Sequence, residues 1–169
     1  MAYHRDISTP TCCNHDTEKS ETNRQIGPLF RRWLNQQTLG LPLLTELEFL
    51  ATNDNAILSG NDAQLKQFAQ SHLNYTAQKG LDFVARMHGK YIIGEAKFLT
   101  DQGGHQNGQF ADGLTLLKNN TVQAIKVAIY DGVLYIKSRS KTYTFLTTHK
   151  EEYHILSSLL LREFLYAIK

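Results

Sequence analysis

The sequence predicts an α/β (α+β) domain in which a central mixed β-sheet is flanked by α-helices. Segments rich in β-branched and aromatic residues, 81–98 and 122–138, alternate with segments whose apolar residues recur at three- and four-residue spacing. The chain of 169 residues suits one domain that buries about 70% of its unfolded surface. No apolar run reaches the roughly 18 residues needed to span a bilayer, so no membrane association is expected. The formal charge of +2 announces no polyanion by itself, so any basic surface must be local.

Residues 1–19 are polar and read as a flexible arm, and residues 20–169 read as the single domain. Cys12 and Cys13 are adjacent and cannot build a disulfide framework. Together with His15 they lack zinc spacing and a second ligand pair. A reducing, cytoplasmic setting is expected, since no apolar signal-peptide core stands near the start. From Ser20 a helix is expected, capped by Ser20 or Thr22. Ile26, Phe30, Trp33 and Leu34 share one face, Glu21, Arg24, Arg31 and Arg32 lie opposite, and Gly27-Pro28 kinks or restarts the helix.

Leu39-Gly40-Leu41-Pro42 ends that helix, and 43–51 is a short amphipathic piece of open type. Ser59-Gly60-Asn61-Asp62 is a cap for a helix over 63–73, where Leu65, Phe68, Ala69 and Leu73 recur at helical spacing. A loop over 74–80 then delivers the chain into a hairpin. Its strands are 81–86 and 90–98, and His88-Gly89 supplies the two-residue turn. Counting outward from the turn, Met87 faces Lys90, Arg86 faces Tyr91 and Asp82 faces Glu95.

Residues 100–109 are polar and glycine-rich, a composition that lets backbone approach a phosphate or a base edge, and also that of an ordinary surface loop. A helix through Lys118 follows. Phe110, Leu114 and Leu117 face the core, while Gln106, Gln109 and Asp112 or Gly113 line its other side. Residues 122–130 alternate as a strand, Asp131-Gly132 reads as a hairpin turn, and 133–138 as the returning strand. Lys137, Arg139 and Lys141 then fall on one face beside Tyr135 and Tyr143, either to track a phosphate backbone or to solubilise an edge strand. Thr148 to Glu151 has capping-box spacing before a long helix carrying Ile155, Leu156, Leu159, Leu160, Phe164 and Ile168, whose surplus face can pair subunits.

The chemistry concentrates in the first hairpin. Directly opposed carboxylates repel, and strand alternation places Lys97 on the face of Glu95 while Ala96 points away. Two acids and an ammonium around one point suit a hard divalent cation such as magnesium, which takes oxygen ligands and leaves water positions for a phosphate. A lysine there can lose its proton more easily or neutralise charge on a phosphoryl oxygen. A solvated sheet face with a cross-strand ion pair is the plain alternative.

Asp82, a gap of twelve residues and then Glu95-Ala96-Lys97 resembles the PD-(D/E)XK nuclease signature, and Gly80-Leu81-Asp82 with Gly94 to Thr100 resembles type II restriction endonucleases. Leu81 replaces the proline of the signature, a position that carries no ligand. The resemblance covers most of 20–169 and implies a restriction-endonuclease-like fold and one or two Mg2+ per site, held by Asp82, Glu95 and the Ala96 carbonyl. It implies that Lys97 serves the attacking water and that 5′-phosphate and 3′-hydroxyl ends result. Glu21 is the implied third carboxylate, or else a helix-start acid favoured by the dipole. Gln106 or Gln109 resembles the glutamine that many of these enzymes place near the scissile phosphate. Arg24, Gly104, His105, Gln106, Asn107, Gln109, Lys137, Arg139 and Lys141 are the candidate DNA contacts.

The implied partner is double-stranded DNA, cut by a homodimer, with a cognate DNA methyltransferase as a genetic partner. Two other readings share the fold: a repair or junction-resolving nuclease, and a DNA-binding module whose acids no longer catalyse. A retaining glycosidase would use carboxyls about 5–5.5 Å apart, but Lys97 and the lack of an aromatic-rich groove oppose it.

Overall fold

The computed structural model describes residues 27–100 and 104–169. A six-stranded mixed sheet forms its centre, with strands in sequence order β1 to β6. The strands are β1 (Leu43–Leu44), β2 (Ala56–Leu58), β3 (Phe83–Met87), β4 (Lys90–Leu99), β5 (Ile125–Gly132) and β6 (Ile155–Leu156). The helices are α1 (27–35), α2 (Glu46–Ala51), α3 (Asp62–His72), α4 (Gly104–Lys118), α5 (Lys141–Thr148) and α6 (Leu161–Ala167). The expected α/β class with helices flanking the sheet is therefore observed. Among the described residues no helix is long and apolar enough to cross a membrane.

The hairpin β3–β4 has the register its turn demands. Met87 pairs with Lys90, Arg86 with Tyr91 and Phe83 with Gly94, and the loop residues His88 and Gly89 have φ of 49° and 75°. Positive φ at both central residues gives the turn the twist of its strands. Every β3 side chain is buried, because the strand has neighbours on both edges and helices on both faces. On one face Phe83, Ala85, Ile92, Ala96 and Val127 pack against Phe30 and Leu34 of α1 and Leu161 and Leu165 of α6. On the other, Val84 and Ile93 meet Phe49 of α2, Leu65 and Phe68 of α3, and Leu116 of α4.

Helix α3 begins as expected. Asn61 Oδ1 accepts from the backbone N–H groups of Ala63 and Gln64, and Gln64 returns the bond to Asn61 N–H. The segment 43–51 resolves into β1 and then α2, which Thr45 caps in the same reciprocal way with Glu48. Strand β2 has no expectation from the sequence, since three residues are too few to show a period.

The second half departs from the expected hairpin. β5 lies parallel to β4, from Ile92 opposite Ile125 to Leu99 opposite Gly132, so α4 is the crossover between them. Asp131-Gly132 is the end of β5, and 133–135 is a 3-10 turn rather than a returning strand. Gly132 has φ of 99° and packs so closely on the Leu99 carbonyl that a Cβ would overlap it. The Asp131 carboxylate accepts from Ser157 Oγ and Ser158 N–H at 2.5 and 3.1 Å, leaving it occupied by the connection to α6.

The long C-terminal helix is likewise corrected. Thr148 is the last residue of α5, with its hydroxyl donating to Thr144 O, and therefore caps nothing downstream. Ile155 and Leu156 instead pair with Ala128 and Ile129 as β6, and Leu159 and Leu160 are exposed in a 3-10 turn before the short α6. A short apolar run fits strand or helix equally, and the open edge of β5 decides it.

Gly113, expected on the outer side of α4, is buried against Tyr130 of β5, whose hydroxyl donates to Phe110 O at 2.7 Å. A Cβ there would overlap the Tyr130 hydroxyl. Gly113→Ala is expected to lower stability by about 1–2 kcal/mol despite the better helix propensity of alanine, since overpacking outweighs it. Adding Tyr130→Phe should restore part of the loss in urea denaturation. A Gly113→Ala protein more stable than the parent would show that α4 does not depend on this approach.

Candidate active site

Asp82 lies one residue before β3, with its N–H donating to Gly94 O at 3.1 Å, so it stands beside the middle of β4. Its Oδ2 accepts from Ala96 N–H at 2.9 Å and from Lys97 Nζ at 3.3 Å. Glu95 is 1% exposed and Asp82 7%, so both acids are removed from bulk water. Lys97 Nζ also lies 3.2 Å from the Ala96 carbonyl and 3.9 Å from Glu95 Oε2. One cation thus sits on three oxygens: a carboxylate from each side of the hairpin and a backbone carbonyl between them. The opposed acids, Ala96 and Lys97 are brought together.

The repulsion between the acids is offset by two lysines. Lys79 Nζ lies 2.9 Å from Glu95 Oε2 and 2.8 Å from Asp112 Oδ2. Both Lys79 contacts are ion pairs by distance, but neither makes a hydrogen bond by its angles, and Lys79 Nζ and Glu95 Oε2 remain buried polar atoms with no aligned partner. Burial pushes the Glu95 carboxyl above the usual carboxylate range, and its own charged neighbours Lys79 and Lys97 only partly oppose this. For Lys79, burial acts downward, but the pairs with Asp112 and Glu95 outweigh it and leave the ammonium favoured. The directions are compatible because the Glu95 side chain is 2% exposed and that of Lys79 38%. Tyr75, buried nearby, is pushed up to about 12 by burial and by the Glu95 charge.

This predicts a pH dependence. The folded state holds the Glu95 proton more tightly than the unfolded state, so its contribution is fully present below about pH 4.5 and is lost as pH rises through the raised folded value. In chelator, Glu95→Gln should be less sensitive than the parent to pH above that point, read from urea midpoints. Equal slopes for both proteins would remove the carboxyl from the account.

The donor set fits a hard cation: two carboxylates and a carbonyl converge where an ammonium now stands, and one carboxylate oxygen lacks an aligned donor. Among the described residues no group of three or more His, Cys, Asp and Glu is placed to hold a metal. Glu21 and Arg24 lie outside the described residues, as do Cys12, Cys13, His15 and the arm over 1–19. A cleft of about 200 Å³ lined in part by Trp33, Lys97, Phe98 and Asp131 opens beside the lysine.

The other candidates are dispersed. Gly104 to Gln109 belong to α4 rather than to a loop, where Asn107 is exposed and Gln109 half-buried; the side chains of His105 and Gln106 lie outside the description. Lys137 and Arg139 are exposed along the coil before α5 and Lys141 is exposed as its first residue, none on a strand face, so the period-two stripe does not exist. Sequence reasoning missed Lys79, whose approach to Glu95 depends on how the 74–80 loop folds and leaves no spacing signal. Asp112 was visible only as an outward-facing helix residue.

Residues 6–168 match a family model described as Tsp45I type II restriction enzyme. No curated protein and no solved structure matches the chain.

Proposed function

Since the chain belongs to the Tsp45I type II restriction enzyme family and is therefore a restriction endonuclease acting on DNA, we propose that it hydrolyses phosphodiester bonds at Asp82, Glu95 and Lys97 with Mg2+, leaving 5′-phosphate and 3′-hydroxyl ends. The observation that carries this reading is the Lys97 ammonium seated on Asp82 Oδ2, Ala96 O and Glu95 Oε2, an oxygen set suited to a cation. Asp82, Glu95 and the Ala96 carbonyl would hold one or two Mg2+, with Glu21 as a further carboxylate. The cation, when bound, supplies a Lewis acid for the phosphoryl oxygens.

Lys97, beside both acids, orients or deprotonates the attacking water and offsets charge that grows on the phosphoryl group. Ala96 N–H keeps the Asp82 carboxylate oriented throughout, because that bond does not involve the lysine. Arg24, the residues Gly104 to Asn107, Gln109, Lys137, Arg139 and Lys141 are proposed to contact the DNA. A homodimer follows from cutting both strands of a symmetric site, which needs two centres related by a two-fold axis. A cognate DNA methyltransferase acts as a separate genetic partner, and the setting is cytoplasmic.

The test is digestion of unmethylated phage DNA in magnesium and, separately, in calcium. Discrete fragments in magnesium alone, with mapped 5′-phosphate ends, are expected. A smear, or cutting in the presence of chelator, would reject the site-specific magnesium reading.

A further inference from the structure

The Lys79–Glu95–Asp112 arrangement is unlike the rest of the site, because its cation is shared between a deeply buried acid and an exposed one. The Glu95 side chain is 2% exposed and that of Asp112 54%. The backbone beneath Lys79 is fastened to α3 and its following turn: Lys66 Nζ donates to Gln78 O at 3.2 Å, Gln70 Nε2 to Ala77 O at 3.2 Å and Tyr75 Oη to Lys79 O at 3.1 Å. The Lys79 side chain reaches from this segment to two partners on different elements, Glu95 on β4 and Asp112 on α4. Lys79 Nζ touches the same Glu95 oxygen that the cation reading requires, and neither that contact nor the one to Asp112 has hydrogen-bond alignment. The Asp112 contact offers a partner that uses no oxygen of the cation site.

We propose that Lys79 is a positioning residue that occupies Glu95 Oε2 in the cation-free enzyme and is retained by Asp112 when a divalent cation takes that oxygen. The proposal rests on Asp82 and Glu95 forming a cation site. Placeholder and cation compete for one carboxylate, so the ammonium prevents a buried bare charge before binding and must be drawn aside during it. Asp112 sets how readily it moves. The same pair joins the strand of the acids to α4, the helix that carries Asn107 and Gln109.

The test is calcium titration of the full-length protein by calorimetry, without DNA, for the parent and for Lys79→Met, Lys79→Arg, Asp112→Asn and the Lys79→Met/Asp112→Asn pair. Folding of each is checked by circular dichroism. Lys79→Met should tighten calcium binding about tenfold, and Asp112→Asn should weaken it several-fold. In the Lys79→Met background the Asp112→Asn effect should vanish, because the side chain it acts through is gone. Lys79→Arg keeps the charge and grips carboxylates with a planar fork, so it should weaken binding, which tests the proposal independently of the methionine variant's folding.

Unchanged or weaker calcium binding by a folded Lys79→Met protein would overturn the proposal. So would an Asp112→Asn effect of equal size in both backgrounds, which a charge acting through space would give. If the parent binds no calcium, or Glu95→Gln binds it equally well, the cation-site reading fails and the proposal falls with it; the Glu95→Gln control separates the two failures.

Discussion

Lys97→Ala is expected to lower single-turnover DNA cleavage by about a thousandfold or more, as loss of a proton-transfer or charge-stabilising group does, while the protein still folds and binds DNA. Lys97 is the cleanest of the three residues to remove. Its side chain is 24% exposed and leaves behind two acids that keep other partners: Asp82 retains Ala96 N–H and Glu95 retains Lys79. Asp82→Ala, by contrast, strips an acceptor from a buried backbone N–H, which costs about 1–3 kcal/mol of stability and confuses the reading. Cleavage in magnesium and DNA binding in calcium should be measured on the same preparation. A Lys97→Ala enzyme that cuts at the parental rate would reject the assignment, and loss of binding in step with cutting would move Lys97 from chemistry to DNA affinity.

Arg86→Met should destabilise the protein by about 3–4 kcal/mol, a large share of the roughly 5–15 kcal/mol that holds a domain folded. Arg86 is 2% exposed on β3 and has no acidic partner within ion-pair distance among the described residues. Its guanidinium donates to Phe49 O at 2.7 Å, Asp54 O at 3.0 Å and Thr52 Oγ1 at 3.3 Å, and stacks over the Phe49 ring at 4.4 Å. Those carbonyls belong to the C-terminal end of α2 and the connection into β2. The arginine therefore caps a six-residue helix and pins the connection to the sheet. Methionine fills similar volume but leaves the carbonyls without their donor. Arg86→Lys should recover only part of the loss, because one ammonium cannot reproduce three divergent bonds. Urea unfolding with an unchanged denaturant slope is the measurement; a midpoint within experimental error of the parent would show that water replaces the guanidinium.

The hairpin that carries the acids was readable because a two-residue turn leaves one register, and the register determines which side chains face each other. The cap of α3 was readable for a similar reason, since Asn61 and Gln64 act across a few residues. The second half shows where local reading stops. Asp131-Gly132 has the composition of a hairpin turn, yet Gly132 serves a close approach to Leu99, and the partner of β5 comes from the far side of α4. Ile155 and Leu156 fit a helix by spacing until the edge of β5 takes them as a strand. Arg86 looks like an ordinary outward strand residue, because alternation does not reveal that β3 is covered on both faces.

By itself the sequence determined the α/β class, the β3–β4 register and the meeting of Asp82, Glu95 and Lys97, all consequences of one tight turn and of side chains that alternate along a strand. Tertiary structure alone decided the parallel placement of β5 and β6, the burial of Arg86 and the arrival of Lys79 between Glu95 and Asp112. Those features join residues through crossovers and loops, where the pairing is selected by the burial of whole faces and by open sheet edges, and no spacing along the chain encodes it.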